Sequence, residues 1–233
     1  QINNMQSLRL GTDAFGTVVV ASTEGGSVVL LRPGRDAGQA GQDYGTILWD
    51  SADPQTPADE GMNGMGLAVR AVPNDPSHSL DIFLGVGVTH LDPQHWLNGS
   101  VPGNLTGGIA WYRWTGSSAT SGTMVRIGLL NLDSNSGNPI GARGGFGVCG
   151  LAIGDVISTQ AGDELVATTL EGDLFVFTIP TSGMLSPGNI LHRAWARGAL
   201  GVNNGIAIFD SNNDGKKELF IAGSLGIWKW RQP

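Results

Sequence analysis

The chain has 233 residues, 37 of them glycine and 11 proline, with 14% charged and 40% hydrophobic residues. That mixture excludes a charge-driven disordered chain and a coiled coil, and it can build a sizeable core if the chain forms one unit. Thirteen basic against twenty acidic residues give −7, which argues against a surface spread with phosphate-binding cations; no apolar run reaches the roughly 18 residues that span a bilayer.

A short alternating apolar motif recurs four times: Leu8-Arg-Leu10, Leu67-Ala-Val69, Leu151-Ala-Ile153 and Ile206-Ala-Ile208. In the first unit it predicts a strand over 8–10, followed by strands over 17–21, 27–31 and 46–50. The second unit repeats this over 67–69, 81–85, 109–114 and 124–130, the third over 151–153, 164–168, 173–177 and 190–196. The fourth places strands over 206–208, 218–222 and 227–230 and ends at its third strand. Period-2 alternation, β-branched enrichment and glycine punctuation read as antiparallel hairpins, and four strands per unit is how a propeller blade is written. The expected fold is therefore an all-β propeller of four-stranded antiparallel blades. It forms one domain or segment over 1–233, with units near 5–50, 64–130, 148–196 and 203–230 and an insertion over 86–108. Segments 33–45 and 51–64, rich in Gly, Ala, Asp, Gln and Pro, read as surface loops.

The stretch Asp210-Ser-Asn-Asn-Asp214-Gly-Lys-Lys-Glu218-Leu-Phe-Ile221, followed by Gly226 and an aromatic strand, resembles an FG-GAP/VCBS-type propeller repeat, the integrin-alpha-like kind. Residues 161–177 are similar to the later half of that repeat, and 13–32 and 80–114 match it more weakly. The resemblance implies a propeller of about seven blades. With four readable here, the chain is expected to be part of a larger ring, with the other blades upstream or on a partner chain. A compact four-blade ring and an unseen fifth blade are the competing readings.

Calcium takes six to eight oxygens, and a tight loop with acidic or amide side chains at alternate positions supplies them. Asp210, Asn212 and Asp214 stand at positions 1, 3 and 5 of such a loop, Gly215 at 6, the carbonyl of Lys216 at 7 and Glu218 at 9. Position 12 is Ile221 where an EF-hand needs a bidentate Glu, so the loop is not an EF-hand and instead joins two strands. The expected ion is a structural Ca2+; the competing reading is a polar turn, since Asp, Asn and Gly favour turns anyway. In the other units only remnants stand at this place: Thr12–Gly16 in the first, Asn74, Asp75 and Asp81 in the second, and Asp155 and Asp163 in the third.

The insertion carries His90, Asp92 and His95, ligand-type residues in a short span, but Pro93 prevents a helix that would align them. Beside them Trp96 is the expected exposed aromatic, suited to stacking on a sugar or anchoring a protein. Most of the seven tryptophans should instead be inter-blade core, with Trp111 on one face of its strand and Tyr112 and Trp114 on the other. The one cysteine, Cys149, excludes an intrachain disulfide and a Cys-based zinc cluster, and it reads as a small buried hydrophobe. Asn98-Gly-Ser100 and Asn104-Leu-Thr106 match the glycosylation acceptor pattern.

No nucleophile elbow, P-loop or zinc-protease motif is present, and the basic residues form no nucleic-acid stripe. No basic segment followed by an apolar run opens the chain, so any secretion signal is expected to have been removed. The resulting expectation is an extracellular, periplasmic or cell-surface recognition or adhesion module that binds a protein or glycan. The alternatives are the propeller scaffold of a polysaccharide lyase or hydrolase, and a structural subunit of a surface assembly.

Overall fold

The structure, a computed structural model, describes residues 5–23, 28–34, 45–50, 63–87, 107–132, 147–169, 172–195, 205–223 and 226–231. They form four antiparallel sheets arranged as a four-blade propeller. Blade one holds β1 (Met5–Asp13), β2 (Gly16–Thr23), β3 (Val28–Arg32) and β4 (Thr46–Asp50). Blade two holds β5 (Asn63–Ala71), β6 (Leu80–Gly87), β7 (Gly107–Ser118) and β8 (Ser121–Asn131). Blade three holds β9 (Val148–Gly154), β10 (Glu164–Thr169), β11 (Asp173–Thr178) and β12 (Ile190–Trp195), the last entered through a 3-10 turn at Pro187–Asn189. Blade four holds β13 (Ile206–Phe209), β14 (Glu218–Gly223) and β15 (Gly226–Trp230), three strands as the sequence predicts. Every strand pairs with its neighbour in the chain, so each blade is a meander. Among the described residues no helix is long and apolar enough to cross a membrane.

The recurring tripeptide is the innermost strand of each blade, and its alternation decides which side meets which neighbour. Ala68 packs with Phe83 and Trp111 of its own blade against Leu151, Leu165 and Phe175 of blade three. On the other face, Leu67, Ile82, Tyr112 and Trp114 meet Val18, Val20 and Leu30 of blade one. A third core joins Val166, Leu174 and Val176 of blade three to Leu219 and Ile221 of blade four. On the face toward the next blade the inner strand carries a small residue, Gly11 just after the first tripeptide and Ala68 and Ala152 in the middle of the second and third, because there the next blade's inner strand comes close; Ala207 holds the same place in the fourth. A Cβ on Gly11 would lie 3.1 Å from Val69 Cγ1. A cavity of about 250 Å³ lies where the tripeptides of β5, β9 and β13 converge, lined by Ala68, Val69, Ala152, Ile153, Ile206 and Ile208.

The split of aromatic residues on β7 is as expected: Trp111 lies in the core toward blade three, Tyr112 and Trp114 in the core toward blade one. Trp195 and Trp228 depart from the inter-blade core, at 46% and 38% exposure. Both stand on outer strands, where successive blades diverge. Cys149 is buried, and burial pushes its thiol up to about 12.

Candidate functional site

One carboxylate per blade is buried at the same rim, where the first strand turns into the second: Asp13, Asp81, Glu164 and Glu218. Their strand positions turn Asp13, Asp81 and Glu164 to the face that looks toward the following blade, and Glu218 to the corresponding face of blade four. A buried carboxylate needs partners, and each blade supplies them differently. Asp13 accepts from the Phe15 N–H at 2.8 Å, from Arg32 Nη2 at 2.6 Å and from Trp114 Nε1 of blade two at 3.3 Å. Arg32 also donates to the Ala119 carbonyl at 2.7 Å, so the pair ties blade one to blade two. Asp81 accepts from Arg70 at 3.2 Å on one oxygen; on the other it accepts from Arg113 Nη2 at 2.8 Å and Trp111 Nε1 at 2.9 Å.

Glu164 has no cation among these contacts; its Oε2 accepts the N–H groups of Val156 and Ile157 at 2.9 and 3.1 Å. Burial pushes its carboxyl above the ordinary 4.5, the two N–H groups pull it back, and Asp155 and Asp163 push it up again. A raised folded-state value means that this group favours the fold while protonated, and that the contribution fades as pH rises through that value. Glu164→Gln keeps an oxygen acceptor for both N–H groups and removes the charge. Its melting temperature is expected to match or exceed that of the parent at neutral pH, with the gap closing as pH falls toward 4. Glu164→Ala leaves both donors unmet and should cost roughly 2–4 kcal/mol. A Gln variant as unstable as the Ala variant at neutral pH would sink this account.

The fourth acid closes the loop singled out in the sequence. Asp210 Oδ2 accepts the Gly215 N–H at 2.8 Å, and its Oδ1 accepts those of Asn212 and Asp214 at 3.3 and 3.2 Å. Asn213 and Gly215 take φ of 59° and 81°, left-handed values that suit Asn and Gly and let the chain curl around Asp210. Asp214 accepts from the Lys216 N–H at 2.9 Å, from the Asn212 amide at 3.1 Å and from Arg231. The Lys216 N–H, then Asn212 and Arg231, hold its carboxyl below the usual range. Glu218 Oε2 takes the N–H and hydroxyl of Ser211, both at 2.8 Å. Its Oε1 is buried without a hydrogen bond and faces Lys229 Nζ at 3.3 Å. Ser211, then Lys229, lower its carboxyl.

Asp210, Asn212, Asp214, the Lys216 carbonyl and Glu218 thus lie on one short turn as an all-oxygen donor set, the chemistry a hard cation requires. The fit has a condition. Lys229 and Arg231 already meet the charge of Glu218 and Asp214, and among the described residues no three acidic or imidazole side chains converge on one point. An ion would have to displace Arg231 from Asp214.

In blade two the remnant of this loop is an Asx turn: Asp75 accepts the N–H groups of Ser77 and Ser79 at 2.8 and 3.1 Å. Asp155 and Asp163 of blade three are exposed and act on Glu164 only through their charge. His90, Asp92, His95 and Trp96 lie outside the described residues. The rim pairs themselves had a sequence signal: Arg32 ends its third strand, Arg113 stands within its third strand opposite Asp81, and Arg231 follows its third strand, whereas blade three has Thr178 opposite Glu164. No protein-family model matches the chain, and a search of curated proteins returns no match.

Proposed function

We propose that this chain is a recognition module of the FG-GAP/VCBS kind, working outside the cytoplasm on a protein or glycan ligand. The observation that carries the reading is the pairing of Gly87 with Gly107 at the end of β6 and β7. It sets the two ends of residues 88–106 side by side on blade two, between strands whose buried faces join both neighbouring blades. From that fixed base residues 88–106, which include His90, Asp92, His95 and Trp96, are the segment this reading assigns to the partner. The rim acids are engaged by structural donors, so their role in this reading is to hold blades rather than to transfer protons.

In the same reading Asp210, Asn212, Asp214, the Lys216 carbonyl and Glu218 hold one Ca2+. The ion supplies charge neutralisation at the β13–β14 turn and stiffens blade four; it takes no part in chemistry. Melting with calcium and with chelator tests this. At a hundredfold excess over Kd, an ion bound only by the folded chain adds about 2.7 kcal/mol, a rise of roughly 5–10 °C for a chain of this size. Asp210→Ala should abolish the difference, and equal melting temperatures in both buffers would make the loop a plain turn. A glycan array probed with the parent chain and with Trp96→Ala tests the ligand. Binding that Trp96→Ala removes supports the proposal, whereas binding indifferent to the whole 88–106 loop refutes its placement.

A further inference from the structure

Four blades closed into a ring would share four cores, whereas the described residues form three, between blades one and two, two and three, and three and four. Two blade faces are left over, and each is built like a face that is covered elsewhere in the molecule. On blade four the face away from blade three carries Ala207, Phe209, Phe220, Ala222 and Ile227, as the β13–β14–β15 register dictates. Phe209 and Phe220 stack at 4.6 Å, and Ile227 is 77% exposed. Ala207 is exposed at the position where Gly11, Ala68 and Ala152 make room for a following blade. Glu218, with Arg231 and Lys229, stands at the rim of this face where Asp13 and Arg32 stand on blade one, and there the pair reaches across to the next blade. The free face of blade one, the side away from blade two, carries Val19, Val29, Leu31 and Ile47, the last 64% exposed. Its counterpart on blade two, Leu67, Ile82, Leu84 and Tyr112, is buried against blade one.

We infer that the chain associates head to tail, the free face of blade four in one copy covered by the free face of blade one in a second copy. The junction continues the blade stacking already made three times, and both of its halves are present on one chain, which is what a heterologous interface requires. The inference does not depend on calcium or on a ligand for residues 88–106.

Light scattering on the full chain at micromolar concentration should give at least twice the mass of one chain. Ile227→Asp spoils only the blade-four half and Ile47→Asp only the blade-one half; both positions are solvent-facing, so each variant should keep the parent circular dichroism spectrum. Each alone should run as a monomer, because neither has a complete pair of faces. Mixed in equal amounts they should form a dimer through the one junction left intact, and the mass should stop there. A monomeric parent chain overturns the inference. So does an Ile47→Asp variant that still dimerises, since that outcome would mean blade four pairs with blade four, and so does a mixture that remains monomeric.

Discussion

Asp81→Ala is expected to lower stability by about 3–5 kcal/mol, the range for removing one member of a buried charge cluster. For a chain of this length that corresponds to a fall in melting temperature of roughly 6–20 °C. The reason lies in the register of blade two, which puts Arg70, Asp81 and Arg113 side by side on three successive strands. Asp81 is fully buried and is the shared acceptor for both guanidinium groups and for the Trp111 indole. Without it two cations, their side chains only 13% and 28% exposed, face each other across the strand that separated them, and the buried indole N–H loses its acceptor. Asp81→Asn should fall between parent and Ala, because one oxygen can still serve Trp111 and Arg113 while the amide points donors at Arg70. Replacing Arg113 by Met in the Ala background should recover part of the loss by removing one unmatched charge. If the double variant is no more stable than Asp81→Ala, the cluster is not held by charge pairing and the cost must come from packing alone.

The strands were legible because each carries its information locally. A period-2 alternation of apolar residues bounded by glycine needs no knowledge of neighbours, and every predicted strand lies within or over one of the fifteen strands among the described residues. The Asp210–Glu218 loop was legible for the same reason, since its donors follow one another within a single turn. The rim carboxylates were harder. Asp13 meets Trp114, a partner 101 residues away, and Asp81 gains its second arginine only when β7 pairs with β6. Their signal, an arginine in or just after the third strand and an acid at the turn from the first strand to the second, appears only when units are superposed. Glu164 shows the limit of that signal: its partners are the backbone N–H groups of Val156 and Ile157, which no residue identity announces. The sequence also carries the stacking pattern into the last described sheet, because Ala207 repeats the small inner-strand position although the described residues form no following blade.

Close approach between inner strands also sets the second large expected effect. Gly85 on β6 faces β9, and a Cβ added there would fall on the Val148 carbonyl oxygen and lie 2.9 Å from Val148 Cγ1. Its φ is not left-handed, so the glycine is needed for space rather than for conformation. An obstructing side-chain tip can rotate aside, but a backbone carbonyl in a paired strand can move only with its whole blade. Gly85→Ala must therefore push blade three away from blade two and loosen the core built on Phe83, Trp111, Leu151 and Phe175. Overpacking of a core typically costs 1–3 kcal/mol; with a backbone atom as the obstacle the expected loss is about 3 kcal/mol or more, together with a less cooperative unfolding transition. Gly188→Ala is the matched control. Its nearest neighbour would be Ser186 Oγ at 3.6 Å, ordinary contact, and its melting temperature should stay within about 2 °C of the parent. A Gly85→Ala chain that melts with the control would mean that blades two and three are not in direct backbone contact, and the stacking rule drawn from Gly11, Ala68, Ala152 and Ala207 would fall with it.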